Sequence, residues 1–136
     1  MKNKYKIFLL VCITLIIMVG CSGSKEIQKT WKAEDATDNV YSIEIKDKEI
    51  TISNNKDTDK MDYKQNAVGT ANGVKYYGLT IDNEKYSIIF PEKGNTDLAL
   101  FLKIESDDYL DGTLVYAMNT KEQPSYKDYA EKYLIK

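Results

Sequence analysis

Cys21 is the residue whose position points most directly to a chemical modification. It follows an uncharged apolar run over 7–20 and begins the polar stretch CSGSKEIQKT. Three lysines precede that run, at positions 2, 4 and 6. A basic start, a short apolar core and small residues at its end are typical of a secretory signal peptide, whereas a permanent membrane span needs about 20 apolar residues. We therefore predict that residues 1–20 are a signal peptide.

The residues Met18, Val19, Gly20 and Cys21 resemble the lipobox of bacterial lipoproteins, with Met18 in place of the usual leucine. The resemblance implies a diacylglycerol on the Cys21 sulfur, cleavage just before Cys21, and a lipidated N-terminus and linker over 21–28. Two acyl chains are enough for stable anchoring. The implied location is the extracytoplasmic face of the cell membrane, with the membrane itself as a partner. A plain signal peptide or an uncleaved anchor is the alternative.

Composition limits what the remaining part of the chain can be. The 116 residues after position 20 fit a single domain. They contain one cysteine, which excludes an internal disulfide framework, and 16 lysines against 21 acidic residues. No basic stripe is present, so we expect no nucleic-acid partner. The short spacer before the domain is polar and is expected to be flexible.

Residues that could catalyse a reaction are scarce. The chain has no histidine, no expected free thiol, no Gly-x-Ser-x-Gly and no phosphate-binding glycine loop. Asp107, Asp108 and Asp111 supply oxygens of the kind that calcium prefers, but Tyr109 occupies a position where an EF-hand needs a ligand. We expect a solvated loop there, no metal site, no cofactor and no enzymatic activity.

Alternating apolar residues predict a chain of β-strands. In VYSIEIK, Tyr41, Ile43 and Ile45 share one face, and the Asn72-Gly73 pair predicts a tight hairpin. About eight strands are predicted, in antiparallel up-and-down order: 29–33, 40–46, 49–53, 61–69, 74–81, 85–90, 98–104 and 112–118. Such a series tends to close into a barrel, because closure removes exposed edges.

The tail predicts a C-terminal α-helix over about 124–134. Pro124 suits its first turn, and Ser125 with Asp128 resembles a capping box. The helix carries a tyrosine stripe, which we expect to cover the outer face of the sheet. Phe101 and Tyr116 are the predicted receivers of that stripe. In the strand over 98–104, the face opposite Phe101 is then expected to point inward, with four residues: Leu98, Leu100, Leu102 and Ile104.

We predict one domain over 29–136, and its layout over 29–134 resembles the lipocalin or calycin barrels, especially the small lipocalin-like lipoproteins of Gram-positive bacteria. The features that carry the resemblance are Trp31 in the first strand, the up-and-down strand order and the C-terminal helix. Lys29 stands where lipocalins have the glycine of Gly-x-Trp, and the family's late arginine has no counterpart. The resemblance implies an eight-stranded barrel whose tryptophan plugs one end and whose interior can hold a small ligand.

Five aromatic residues are candidate ligand contacts, although ordinary packing in the wall is their alternative role. They are Trp31, Tyr76, Tyr77, Tyr86 and Tyr116. One hypothesis is a tethered, non-enzymatic binding barrel for a small apolar or amphipathic molecule. The other is a tethered protein-interaction module, such as an immunity, exclusion or inhibitor lipoprotein, with a filled barrel and an envelope protein as its partner.

Overall fold

A computed structural model describes residues 23–134 of the chain, which form nine antiparallel strands in one sheet and a short C-terminal helix. The mainly β architecture and the terminal helix are therefore confirmed. The strands are β1 (Thr30–Glu34), β2 (Val40–Ile45), β3 (Glu49–Ser53), β4 (Thr58–Asp62), β5 (Lys64–Ala71), β6 (Val74–Ile81), β7 (Glu84–Phe90), β8 (Leu98–Ile104) and β9 (Gly112–Asn119).

The strand order is β4-β3-β2-β1-β9-β8-β7-β6-β5, so the first and last strands of the chain pair at the centre of the sheet. The edge strands β4 and β5 are consecutive in the chain and only Tyr63 separates them. No ladder joins these two edges, so the sheet is not closed there. The predicted count of eight is wrong because the single strand expected over 61–69 is divided at Tyr63, whose N–H donates to the Lys48 carbonyl.

Antiparallel order places the strand connections at two opposite ends of the sheet. The connections 35–39, 54–57, 82–83 and 105–111 lie at one end, which we call the open end. The connections 46–48, 72–73 and 91–97 lie at the other, which we call the closed end, together with the segment 23–29 that leads into β1. Some connections of the two ends are neighbours in space: Lys48 lines one surface depression with Asp82, and Asn72 lines another with Asp108 and Asp111.

Segment 23–29 is packed against the sheet instead of forming a free linker. The Gly23 N–H donates to the Asp47 carbonyl at 2.8 Å, and the Ser24 N–H donates to the Gln65 side chain at 2.7 Å. Ile27 is fully buried, and its carbonyl accepts a hydrogen bond from the Trp31 indole at 3.1 Å. These contacts cover the closed end. Cys21 and the predicted signal peptide lie outside the described residues.

The inner face of the sheet forms the larger of two apolar clusters. Alternate residues of β2, β6 and β8 point into it, as period-2 strands require. Its buried members are Ile27, Trp31, Ala33, Ile43, Ile45, Ile50, Tyr63, Tyr77, Leu79, Ile81, Ile88, Phe90, Ala99, Phe101 and Met118. Burial of this many large side chains supplies the main driving force for folding.

The outer cluster lies under the C-terminal helix, and it corrects the predicted facing of β8. Its buried members are Ile89, Leu100, Leu102, Ile104 and Leu114. Phe101 and Tyr116, predicted to receive the helix, instead belong to the inner cluster. Six of the seven β8 residues are buried. Alternation shows which residues share a face, but it cannot say which face is inner when both are covered.

The helix begins at Tyr126, two residues later than predicted, and it is α-helical only over Tyr126–Tyr129 (α1) before a π-helical turn over Ala130–Leu134. Ser125 is the N-cap and its hydroxyl accepts the Asp128 N–H at 3.2 Å, which confirms the predicted cap and leaves Pro124 before the helix. Between residues 23 and 134, the structure contains no helix with the length and apolar character to cross a membrane.

Candidate functional site

The inner face carries a row of aromatic side chains near the open end. Tyr41 of β2, Tyr116 of β9, Phe101 of β8 and Tyr86 of β7 follow one another with ring-centroid distances of 5.4, 6.0 and 5.6 Å. We call these four residues the aromatic row. Phe101 is buried, whereas the three tyrosines are only partly buried and pack against the edge of the inner cluster.

The strand register explains why these rings meet. Tyr116 and Phe101 are direct cross-strand partners in the β8–β9 ladder, which places their side chains on the same face. On β7, the cross-strand partner of Phe101 is Ile88. Tyr86 lies two residues before Ile88 on the same face, so its ring contacts Phe101 diagonally. The row thus follows from alternation and register, and it extends across the strands instead of along one of them.

Hydrogen bonds and ion pairs orient the two ends of the row. The Tyr41 hydroxyl donates to Asp35 at 3.1 Å, and the Tyr86 hydroxyl donates to Glu84 at 3.2 Å. Glu84 also pairs with Lys103, the cross-strand partner of Tyr86, at 3.3 Å. The aromatic faces are therefore bordered by carboxylates that accept from the phenols, which gives the surface an amphipathic character.

The tyrosines of the row hold their protons firmly. Burial raises the pKa of Tyr116 to about 12, and the nearby Asp35 and Asp59 carboxylates add to the effect. Burial also raises the pKa of Tyr41 and of Tyr86, with further contributions from Asp35 and Glu84 respectively. The four rings are consequently neutral across the physiological pH range, and the negative charge beside them comes from the carboxylates alone.

The loops around the open end are strongly acidic. Their single lysine is Lys56, and their acidic residues are Asp35, Asp38, Asp57, Asp82, Glu105, Asp107, Asp108 and Asp111. The connections and the N-terminal segment at the closed end are balanced, since their five lysines (25, 29, 46, 48 and 93) face four acids (26, 47, 92 and 97). The open-end connections are therefore the more acidic set. Asp108 and Asp111, however, line a depression beside the C-terminal helix, away from the aromatic row.

The five predicted ligand contacts are divided among three places. Tyr86 and Tyr116 belong to the aromatic row. Trp31 and Tyr77 are buried toward the closed end, where the Tyr77 hydroxyl donates to the Glu26 carboxylate. Tyr76 lies on the outer face, with its ring stacked on Tyr109 at 5.6 Å. Adjacent strand residues point to opposite faces, so Tyr76 and Tyr77 could not have shared one site.

Sequence reasoning missed Tyr41 and Phe101 as members of the same surface. Tyr41 had a usable signal, because it alternates with Ile43 and Ile45 on one face of β2. Phe101 had none, because its neighbours in β8 are buried on both faces.

The interior around the central side chains is filled. Ile43, Leu79 and Ile88 are each 0% exposed and belong to the same cluster. Four depressions with volumes of about 540, 660, 750 and 680 Å³ lie at the protein surface, and none of the four is lined by these three residues. Within the part of the chain that the structure describes, no three acidic or thiol side chains converge to hold a metal ion.

Comparisons with protein-family models, with curated proteins and with solved structures found no match for this chain.

Proposed function

We propose that this protein is a membrane-tethered lipoprotein that binds a partner through the aromatic row at its open end and catalyses no reaction. The observation that carries the proposal is the row itself. Three partly buried tyrosines on a sheet face form an aromatic surface with polar edges. Aromatic side chains with satisfied hydroxyls are typical of binding surfaces, where they add contact area at low entropic cost.

The filled interior favours a macromolecular partner over an enclosed small molecule. A small-ligand carrier needs a cavity of about 300–1,000 Å³ that surrounds most of its ligand. Trp31, Leu79 and Met118 instead fill the inner cluster with side chains that are 0% exposed. We therefore favour the protein-interaction module over the carrier of a small apolar or amphipathic molecule.

We also propose that the sheet forms a barrel-like wall around this core. Its support is the pairing of β1 with β9, together with the position of both sheet edges at consecutive strands joined through Tyr63. β4 and β5 run in the same direction, so they act as one bent strand across the seam. Segment 23–29 bridges this seam, because Gly23 bonds to Asp47 on one side and Ser24 to Gln65 on the other.

Anchoring is tested by replacing the lipidated residue. In a bacterium that processes lipoproteins, we expect the full chain to be found in the membrane fraction, with the mass of a diacylglycerol on Cys21. The Cys21→Ser variant should lose both the lipid mass and the membrane association. An unmodified cysteine, or a Cys21→Ser variant that remains in the membrane, would contradict the lipoprotein assignment.

Native mass spectrometry of the full chain, released from detergent, tests the filled interior. We expect no small molecule to be retained apart from the lipid on Cys21. A reproducible added mass that persists in the Cys21→Ser variant and disappears on denaturation would overturn the proposal in favour of a small-ligand carrier.

A further inference from the structure

We propose that the open end docks a cationic, amphipathic polypeptide segment of a partner protein. Its apolar side chains lie on the aromatic row, and its lysine or arginine side chains face the acidic loops. This inference rests on the proposed function, because it takes the row as the binding surface, and it adds the chemistry of what is bound.

The charge at the open end is largely unpaired. Only Asp107 among the eight acidic loop residues forms an ion pair in the described chain, with Lys85 at 3.3 Å, and the Asp107 side chain is fully exposed. Asp35 accepts hydrogen bonds from Thr37, Asn39 and Tyr41, which are neutral donors and leave its charge uncompensated. A cationic partner would neutralise this field, and an anionic partner would be repelled by it.

The aromatic row supplies the apolar part of the proposed binding surface. A peptide with cationic groups alone would gain only screened surface attraction, which is weak for exposed pairs. The partly exposed rings of Tyr41, Tyr86 and Tyr116 can additionally contact apolar side chains and attract guanidinium or ammonium groups. Aromatic faces and carboxylates lie side by side, at Tyr41 with Asp35 and at Tyr86 with Glu84. This arrangement favours a ligand that alternates apolar and cationic side chains.

The position of the N-terminal segment sets the direction of approach. Gly23 is held at the closed end through its hydrogen bond to Asp47, and it follows Cys21 by two residues. An anchor on Cys21 therefore keeps the closed end near the bilayer, and the open end projects away from it. The partner segment is then reached from the side facing away from the membrane.

Fluorescence anisotropy with three labelled synthetic peptides tests this match on the full chain in a neutral detergent. The first peptide alternates lysine with leucine, the second replaces lysine by glutamate, and the third replaces leucine by serine. We expect clear binding of the first peptide, at least about tenfold weaker binding of the third, and no binding of the second. Binding of the first peptide should weaken as salt increases, because the charges are exposed.

Two matched charge reversals locate the contact. Asp57→Lys combined with Glu105→Lys reverses exposed charges on two loops of the open end, and we expect about tenfold weaker binding of the lysine–leucine peptide. Glu122→Lys combined with Glu131→Lys reverses the same number of exposed charges away from the row and should change binding less than about twofold. Thermal unfolding of both variants checks that each remains folded.

Equal loss in the two charge-reversed variants, equal binding of the lysine and glutamate peptides, or no binding of any peptide would each overturn this inference. Tyr86→Ala separates it from the proposed function. If Tyr86→Ala weakens the binding of the lysine peptide and of the glutamate peptide alike, the row is a binding surface without charge selectivity. The proposed function then stands, and the cationic partner does not.

Discussion

Replacing Ile27 with alanine tests whether the N-terminal segment is part of the folded domain. Ile27 is 0% exposed in the inner cluster, and its carbonyl accepts the Trp31 indole N–H at 3.1 Å. The change removes three buried carbons, each contributing about 0.8 kcal/mol, and leaves a cavity. We expect the free energy of unfolding to fall by about 3 kcal/mol, which corresponds to about 10 °C in Tm for a domain of this size.

Urea denaturation followed by Trp31 fluorescence measures this loss, because Trp31 lies directly against the substituted residue. Val68→Ala is the matched control: Val68 is 59% exposed, and its truncation should cost less than about 0.5 kcal/mol. A loss below about 0.5 kcal/mol for Ile27→Ala would refute the packing of this segment and restore the flexible linker expected from the sequence.

Three further predictions concern other contacts of the fold. Gly78→Ala should destabilise by about 1–3 kcal/mol in urea, since its Cβ would lie 2.5 Å from the Tyr109 ring and 2.8 Å from another side chain; a neutral result would contradict this packing. Because the folded pKa of Tyr116 is raised to about 12, the contribution of Tyr116 to stability is complete below pH 10 and lost as the pH rises through 12. The Tyr116→Phe variant should therefore lose less stability in alkaline unfolding, and an unchanged pH profile would contradict the burial of this hydroxyl. Hydrogen bonds from the Tyr77 hydroxyl and then from Lys75 lower the pKa of Glu26. The contribution of Glu26 to stability is therefore present above its unfolded pKa and lost as the pH falls through its folded pKa. The difference in stability between the wild type and Glu26→Gln should close on acidification, and a constant difference would contradict the pairing.

Strand content and much of the strand order could be predicted from sequence because both depend on local patterns. The Asn72-Gly73 pair forms the expected tight turn, with both residues at positive φ of 54° and 79°. Alternation in VYSIEIK correctly placed Ile43 and Ile45 on the inner face. The Ser125 cap was also readable, because a side chain that accepts a nearby N–H needs only a few residues of sequence.

Long-range packing decided the features that the sequence left open. The division of one expected strand at Tyr63 depends on a hydrogen bond to Lys48, which is distant in the chain. The burial of Ile27 depends on the closed end having room for one more apolar side chain, and nothing in a short polar segment indicates that room. In the aromatic row, Tyr86 and Tyr116 were candidate contacts from the sequence and Tyr41 had a usable signal. Phe101 could not be placed, because its facing required knowing what covers the other side of β8.

Site-specific photo-crosslinking tests the binding surface most directly. A photoreactive phenylalanine is placed at Tyr86 in the row or, as a control, at Val68, which is 59% exposed on β5, a strand that contributes no residue to the row. The full chain is then irradiated in the membranes of cells that produce it. We predict a discrete polypeptide adduct from position 86 that excess lysine–leucine peptide suppresses, and no such adduct from position 68. An adduct from position 68 alone, or only lipid adducts from position 86, would contradict the open end as the binding surface.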